Sequence, residues 1–409
     1  MGSDDIKRRQ FIKQSVAGVA IAASSGLAAG KTSNNITSNA DVLVVGGGTA
    51  GTIAALQAAR VGARTVLIER GGQLGGTTTV GGVSFPGLFH AWGRQIIAGI
   101  GWELVNRAVE LDGGSLPDFT KIRKRHWEHQ VHINQYLYAL LAEEQCLKAG
   151  VEILYYEFPL SVEKAADGWL VESVGPGTRR HIVCSQLIDC TGGADLVGML
   201  KMARLREEQT QPGSMLFKCG DLYRPGREQL QAVYVHGADS STSVTRTEAN
   251  LAGRKAVLEK IRGKRLTHIQ PEAAFRESYR ILGETVISHE DYVSGRLFED
   301  AVCYAFYPVD LHTRDGVKPK PLAKGVIPTV PLRALIPKGS RNIVAAGRCV
   351  SSDRLANSGL RVQASCMAMG QAAGAAAALA ARRKTTPLDV PLEDIRRMLR
   401  EHGAIVPGV

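Results

Sequence analysis

A strand-like apolar run, Asp41-Val-Leu-Val-Val45, opens directly into Gly46-Gly-Gly-Thr-Ala-Gly51; a small-residue helix follows, and a second apolar run ends at Val66-Leu-Ile-Glu69. A lone G-x-G-x-x-G carries little information. Between a strand and a helix, with an acid about 20 residues on, it has the context of a dinucleotide-binding turn. Gly46 permits the tight turn, Gly48 removes the side chain that would block a pyrophosphate, and Gly51 lets the helix lie close to the sheet. The phosphates then face helix N–H groups at the positive end of the helix dipole, with Thr49 and Ala50 in the first turn. Glu69 would accept hydrogen bonds from a ribose diol and repel a 2′-phosphate, which disfavours NADP. The alternative reading is a glycine-rich turn of an ordinary α/β domain.

The rest of the chain has the length and composition of a folded protein with more than one core: 409 residues, 44% hydrophobic and 22% charged. Apparent strands Val151 to Tyr156, Ser161 to Ala165, Trp169 to Ser173 and His181 to Ile188 form a meander with turns at Asp167-Gly168 and Pro176-Gly177. Helical periodicity is expected from about Trp92 to Leu111, His132 to Gly150, Arg246 to Arg262 and Glu272 to Leu282. Strands are expected near Cys303 to Leu311, and Arg341 to Arg348 reads as a late strand ending in glycine. The charge-free run Val362 to Ala381 is long enough to span a membrane, but its alanines, Gln363, Gln371, Gly370 and Gly374 favour burial and no stable membrane span.

Net charge is +11, and +8 remains after the first 31 residues. The densest basic patch, Lys121, Arg123, Lys124 and Arg125, lacks interleaved aromatics and any nucleic-acid module, so it reads as a solvated helix face with no nucleic-acid partner. Seven cysteines show no C-x-x-C pair and no zinc or iron–sulfur spacing. His126, His129 and His132 would spread over about 120° of a helix, so no metal site is expected. No G-x-S-x-G elbow is present, which leaves a serine hydrolase unsupported.

The segment Lys7-Arg8-Arg9-Gln10-Phe11-Ile12-Lys13, followed by a modest apolar run, resembles a twin-arginine export signal, with Lys7 where Ser or Thr is usual. That resemblance implies the twin-arginine translocase as a partner and a periplasmic or extracytoplasmic location.

Several segments together resemble the glutathione-reductase-like FAD-dependent oxidoreductases, within the bacterial group allied to succinate and fumarate dehydrogenase flavoproteins. They are Gly46 to Gly51 with Glu69, Leu74-Gly-Gly-Thr77, Ile188-Asp-Cys-Thr-Gly192, Tyr307-Pro-Val-Asp-Leu-His312, Ala346-Gly-Arg-Cys-Val-Ser-Ser352 and Arg361 to Gly374. The resemblance implies an α/β fold: a Rossmann-like FAD-binding domain, with a central parallel sheet plus β-meander, and an inserted α+β substrate domain. The corresponding boundaries are 1–30 for the signal, 38–203 and 332–385 for the two parts of the FAD-binding domain, 204–331 for the substrate or cap domain and 386–409 for a C-terminal tail. The implied FAD contacts are Gly46, Gly48, Thr49, Ala50, Gly51, Glu69, Arg70, Gly75, Gly76, Thr77, Thr191, Gly192, Gly347, Arg348 and Gly370. Arg348 stands where many relatives carry an acid.

Only one dinucleotide turn exists, so electrons are expected to pass from a small-molecule substrate through FAD to an external electron acceptor. Asp310 and His312, two apart on an expected strand, would share a face about 6.6 Å apart. A histidine held by a carboxylate is a proper general base for a hydroxyl proton. Arg333 and Arg361 are expected anchors for a carboxylate or developing oxyanion; Tyr307 would face away from His312, and His90 is a weaker candidate. The expected activity is an exported FAD-dependent dehydrogenase or oxidase acting on a hydroxyl-bearing small molecule, with sugars or polyols favoured over acids. A fumarate-reductase-like reduction of an activated alkene, and a protein holding FAD as a structural element, are the alternatives.

Overall fold

The computed structural model describes residues 34–121, 126–222, 226 and 228–408. The twin-arginine segment and three of the four residues of the basic patch, Arg123, Lys124 and Arg125, lie outside them. The strand before the glycine turn is β1 (Asn34–Val45), and the helix after it is α1 (Thr49–Arg60). The second apolar run is β2 (Thr65–Glu69), paired in parallel with β1. Along both strands the apolar residues alternate between two cores. Val42, Val44 and Leu67 face one; Leu43, Val45, Val66 and Ile68 face the other. A sheet covered on both faces requires such continuous apolar runs.

The meander follows as β3 (Glu152–Tyr155), β4 (Phe158–Ala165), β5 (Gly168–Gly175) and β6 (Thr178–Asp189). With a late strand at Ile343–Ala345 these make a seven-stranded sheet in the order β3-β2-β1-β6-β5-β4, the late strand pairing with β6. The twelve-residue β6 joins two kinds of sheet. Its first part pairs antiparallel with β5 (Cys184 opposite Trp169), and its end pairs parallel with the late strand (Leu187 opposite Ile343). The ends of β1, β6 and the late strand thereby reach the same place as the glycine turn.

Three expected helices are displaced for local reasons. Α2 is Ile100–Leu111, starting after Gly93 and Gly99, both at positive φ, instead of at Trp92. Helix α3, Gln135–Lys148, begins where Asn134 caps the amides of Tyr136 and Leu137. After the short α4 (Asp195–Met199), α5 spans Ser243–Lys260 behind a Thr242/Thr245 capping box. The helix expected over Glu272 to Leu282 is absent. Its backbone is extended instead: Ala274 exchanges both hydrogen bonds with Ser214, and Arg280–Ile281 pairs with Arg204–Leu205. The expected helix face of His126, His129 and His132 is a short 3-10 turn, His126–His129, with His132 beyond it.

A three-stranded layer, β7 (Gly213–Asp221), β8 (Gln229–Val235) and β9 (Lys264–Ile269), carries α5 and has its own core around Met215, Phe217, Ala249 and Val257. Residues from Ile287 to Ile336 pack into the first core instead. The charge-free run is a helix, Gln363–Arg383, and 89% of its most apolar stretch is buried. Its glycines set its depth: a Cβ on Gly370 would lie 2.2 Å from the Ala50 carbonyl oxygen, and one on Gly374 2.3 Å from that of Ala54. The close packing is thus against α1. All seven cysteines are free and buried.

Candidate active site

The glycine turn separates into residues the fold needs and one it does not. Gly46 has φ +99°, and a Cβ there would lie 2.4 Å from the Cys190 carbonyl oxygen. On Gly51 it would lie 1.8 Å from the Gly46 carbonyl oxygen. On Gly48, by contrast, it would meet only the Gly76 Cα, at 4.0 Å. No side chain caps α1 at Gly48, and its first turn holds no acid. Glu69 fixes the turn: its carboxylate accepts from the amides of Gly47 and Gly71, each at 2.8 Å. Burial raises its pKa, opposed by those amides and by Arg70. The Gly-Thr loop docks beside it, Gly75 N–H donating to the Gly47 carbonyl and Thr49 Oγ1 to that of Gly75.

At the end of β6 the buried Asp189 accepts from the Thr191 amide and hydroxyl and from the Leu196 and Val197 amides. Thr191 Oγ1 in turn accepts from the Asp195 amide. Arg348 is tied to the protein by three acceptors: Gly192 O at 2.6 Å, Phe275 O at 2.9 Å and Ser240 Oγ at 2.7 Å. It therefore joins the β6 loop to the three-stranded layer. Burial and the Asp189 charge push the Asp195 pKa up to about 6, against Arg348, Arg204 and Arg70.

Asp310 and His312 do meet, although the backbone there is not one regular strand: only His312–Thr313 is extended, as half of a hairpin with Gly316–Val317. His312 Nε2 lies 3.1 Å from Asp310 Oδ2. Burial lowers the His312 pKa, the Asp310 hydrogen bond opposes this, and Arg276 adds to it. Burial opposes ionisation of Asp310, but His312, Arg361 and Arg276 outweigh it and its pKa is lowered. Arg361 donates to the Asp310 carbonyl at 3.0 Å and stands 3.5 Å from its carboxylate. Gln211 Oε1 accepts from the His312 amide at 3.1 Å and from Arg361 at 3.4 Å. Tyr307 lines the same cavity as His312, where a regular strand would have turned it away; its hydroxyl accepts from Gln130 and its pKa is pushed up to about 12 by burial and Asp310.

One cavity of about 1400 Å³ contains both ends. It is lined by Gly46, Gly48, Thr49, Ala50, Glu69, Arg70, Gly76, Thr77, Thr191, Gly192, Gly347 and Arg348 at the turn end, and by Asp310, His312 and Arg361 at the other. Four expected site residues fall elsewhere. Gly51 and Gly370 are packing positions, Gly75 lies behind Thr79, and Arg333 is exposed on a 3-10 turn with its amide on Asp300. His90 is also apart, stacked on Phe119 with ring centroids 3.7 Å apart. Sequence reasoning missed Tyr234, Arg276 and the cavity role of His126, and also Gln211, which holds His312 and Arg361 from behind the cavity wall; all lie where no motif marks them. Among the described residues no group of three or more His, Cys, Asp or Glu side chains is placed to hold a metal.

The family model of the FAD dependent oxidoreductases matches residues 41–257 and 244–399. The chain belongs to this family. As an FAD-dependent oxidoreductase it also has likenesses among solved structures. OxyS anhydrotetracycline hydroxylase from Streptomyces rimosus is 13% identical with a TM-score of 0.48, over 89% of this chain and 66% of that one. This chain thus spans slightly less than two thirds of that hydroxylase. The p-nitrophenol 4-monooxygenase PnpA from Pseudomonas putida DLL-E4 is 12% identical, TM-score 0.46, over 90% and 85%. A flavoprotein/dehydrogenase from Cytophaga hutchinsonii is 13% identical, TM-score 0.44, over 88% and 83%. Among curated proteins no match is found.

The residues present fit FAD. The open space over Gly48, the uncapped N-terminus of α1 and the acid at Glu69 are what a pyrophosphate and a ribose diol require. The cavity continues far enough to hold a second ring system beside the Gln363–Arg383 helix, through Arg361, Val362, Gln363 and Cys366.

Proposed function

We propose that this flavoenzyme oxidises a small molecule at a carbon bearing a hydroxyl, with His312 as the base. The observation that carries this reading is the His312–Asp310 hydrogen bond inside the cavity that also holds the glycine turn. When bound, FAD supplies the two-electron acceptor for the hydride. An ionised Asp310 can only accept, so Nε2 of His312 carries the hydrogen between them and Nδ1 keeps the lone pair. Nδ1 is buried and has no partner among the described residues, and the lowered pKa leaves the ring neutral at pH 7. It is therefore the ring nitrogen that takes a hydroxyl proton as the C–H bond breaks, after a ring rotation that uncovers it to the cavity. Gln211 accepts from the His312 backbone amide, and Tyr234 packs edge-on against the imidazole.

Electrons then leave to an external acceptor, a reading supported by the single dinucleotide turn. Export through the twin-arginine translocase rests on Arg8-Arg9 and its flanking residues; retention of a reporter fusion in the cytoplasm after Arg8→Lys and Arg9→Lys, and not before, is the result that supports it.

The oxidation is tested by mixing the FAD-loaded protein anaerobically with sugars, polyols and hydroxy acids while following the visible flavin band. Bleaching by at least one hydroxy compound is expected. A band that no member bleaches, but that dithionite does, contradicts the reading and leaves FAD as a structural element or alkene reduction as the activity.

A further inference from the structure

The far end of the cavity holds more positive than negative charge. Arg276 and Arg361 both line it, and Asp310 is the carboxylate between Arg361 and His312, with its charge also felt by Arg276. The geometry is a chain of contacts: the Arg276 guanidinium lies 5.4 Å from the Tyr234 ring centroid, and that ring lies 5.6 Å from His312, which holds Asp310, which faces Arg361. The neighbouring acid Glu277 is not free to compensate, since Arg280 and Arg354 both bind it. With His312 neutral, two guanidinium groups face one carboxylate. A buried cation without a counter-ion is costly, and substrate is the group that can supply one.

Both arginines also have donors to spare. Arg276 uses Nη1 on the Pro212 carbonyl and Ser214 Oγ, and among the described residues Nη2 and Nε have no hydrogen-bond partner. Arg361 uses Nη2 on Gln211 and Asp310, while Nη1 has no hydrogen-bond partner among them and Nε is buried without one. Burial and the nearby Arg361 charge bring the Arg276 pKa down to about 10, so it stays protonated at pH 7 yet is short of negative neighbours.

We propose that Arg276 and Arg361 together form a carboxylate subsite, so that the molecule oxidised is a hydroxy acid. This rests on the reading of the cavity's far end as the substrate end, and it replaces the sequence preference for sugars and polyols. Arg361 is the anchor beside the His312–Asp310 pair, and Arg276 is the specificity-determining residue. A guanidinium offers two parallel donors to a carboxylate and distinguishes it from the isosteric amide.

The test is calorimetric titration of the FAD-loaded protein with acids that have no hydroxyl to oxidise and with their amides: acetate and acetamide, benzoate and benzamide, succinate and succinamide. At least one acid should bind 10-fold or more tightly than its amide. Arg276→Gln should weaken that acid by about 10- to 100-fold, the effect of one charge-assisted hydrogen-bonding partner, and leave the amide unchanged. Arg276→Lys should fall between them, and retained FAD absorbance shows that each variant is folded. Equal affinity within every pair, no binding by any acid, or equal weakening of acid and amide by Arg276→Gln overturns the subsite. Bleaching of the flavin by hydroxy compounds with no preference for acids would also overturn it while leaving the oxidation standing. Discrimination of acid from amide without bleaching would overturn the oxidation and leave the subsite.

Discussion

The two ends of the cavity are built in opposite ways. At the turn end the work falls mostly to backbone from one short region of sequence, within residues 46–50, 69–71 and 76–77, joined by the late loops at 191–192 and 347–348. At the far end it falls to side chains from scattered positions: Tyr234 on β8, Arg276 beyond β9, Asp310 and His312, and Arg361, with Gln211 before β7 bonded to the last two segments. The turn end fixes a cofactor by shape and amide direction, with added atoms excluded by the fold at Gly46 and Gly51 and by the ligand alone at Gly48. The far end fixes a substrate by charge and hydrogen bonding, and its individual side chains can change without disturbing the fold. A scaffold can in this way keep one cofactor while its substrate changes.

The contrast breaks first, and hardest, at the glycines. Gly51→Ala places a Cβ 1.8 Å from a backbone oxygen, and a loss of about 3 kcal/mol is expected in denaturant unfolding of the FAD-free protein. Gly48→Ala should leave that stability nearly unchanged, because a Cβ there meets nothing closer than 4.0 Å. Its FAD affinity, read by equilibrium dialysis, should fall on the order of 100-fold because the side chain fills the phosphate position. Equal stability losses in the two variants would remove the distinction between packing and cofactor glycines.

A smaller effect sharpens the far end. His312 is active as the neutral base, so kcat/KM should be level above its pKa and fall as pH drops through it, with the midpoint below 6.5. The groups facing the ring are Asp310, which raises this pKa, Arg276 and Arg361, which lower it, and the uncharged Tyr234. Asp310→Asn removes the raising partner. The acid limb should therefore move to lower pH, while the plateau rate drops by about 10-fold or more as the ring loses its orientation. An acid limb that moves upward would contradict the assignment.

The smallest effect is expected at Arg333. It is exposed and outside the cavity, so Arg333→Ala should change kcat/KM less than about twofold and stability by about 0.5 kcal/mol or less.

The turn end was legible because its chemistry demands a contiguous pattern: a strand, glycines where a side chain is intolerable, and an acid at the next strand end. Within that pattern the expected roles already differ, Gly51 for close packing of the helix and Gly48 for room beside a pyrophosphate, and the 1.8 Å contact at Gly51 and the open space at Gly48 are in line with them. Asp310 and His312 could be paired from their spacing, but the reason was different, since the backbone there is irregular and the two meet by side-chain reach. Arg276 was hidden because its segment carried helical spacing, whereas bonds to Ser214 draw it out straight. Arg333 shows the converse, an arginine credible by position near the late strand that the 3-10 turn leaves in solvent. Side chains gathered by tertiary packing leave no local signature, and this limits what sequence alone can reveal at the far end.

If the turn end holds FAD while His312 at the far end takes the substrate proton, the two functions separate in one variant. Anaerobic stopped-flow bleaching of FAD-loaded wild type and His312→Gln by the same hydroxy acid tests it directly, with FAD affinity measured in parallel. The account predicts a bleaching rate lower by about 10²–10⁴-fold in the variant with FAD affinity unchanged. Bleaching of the variant at the wild-type rate would contradict it.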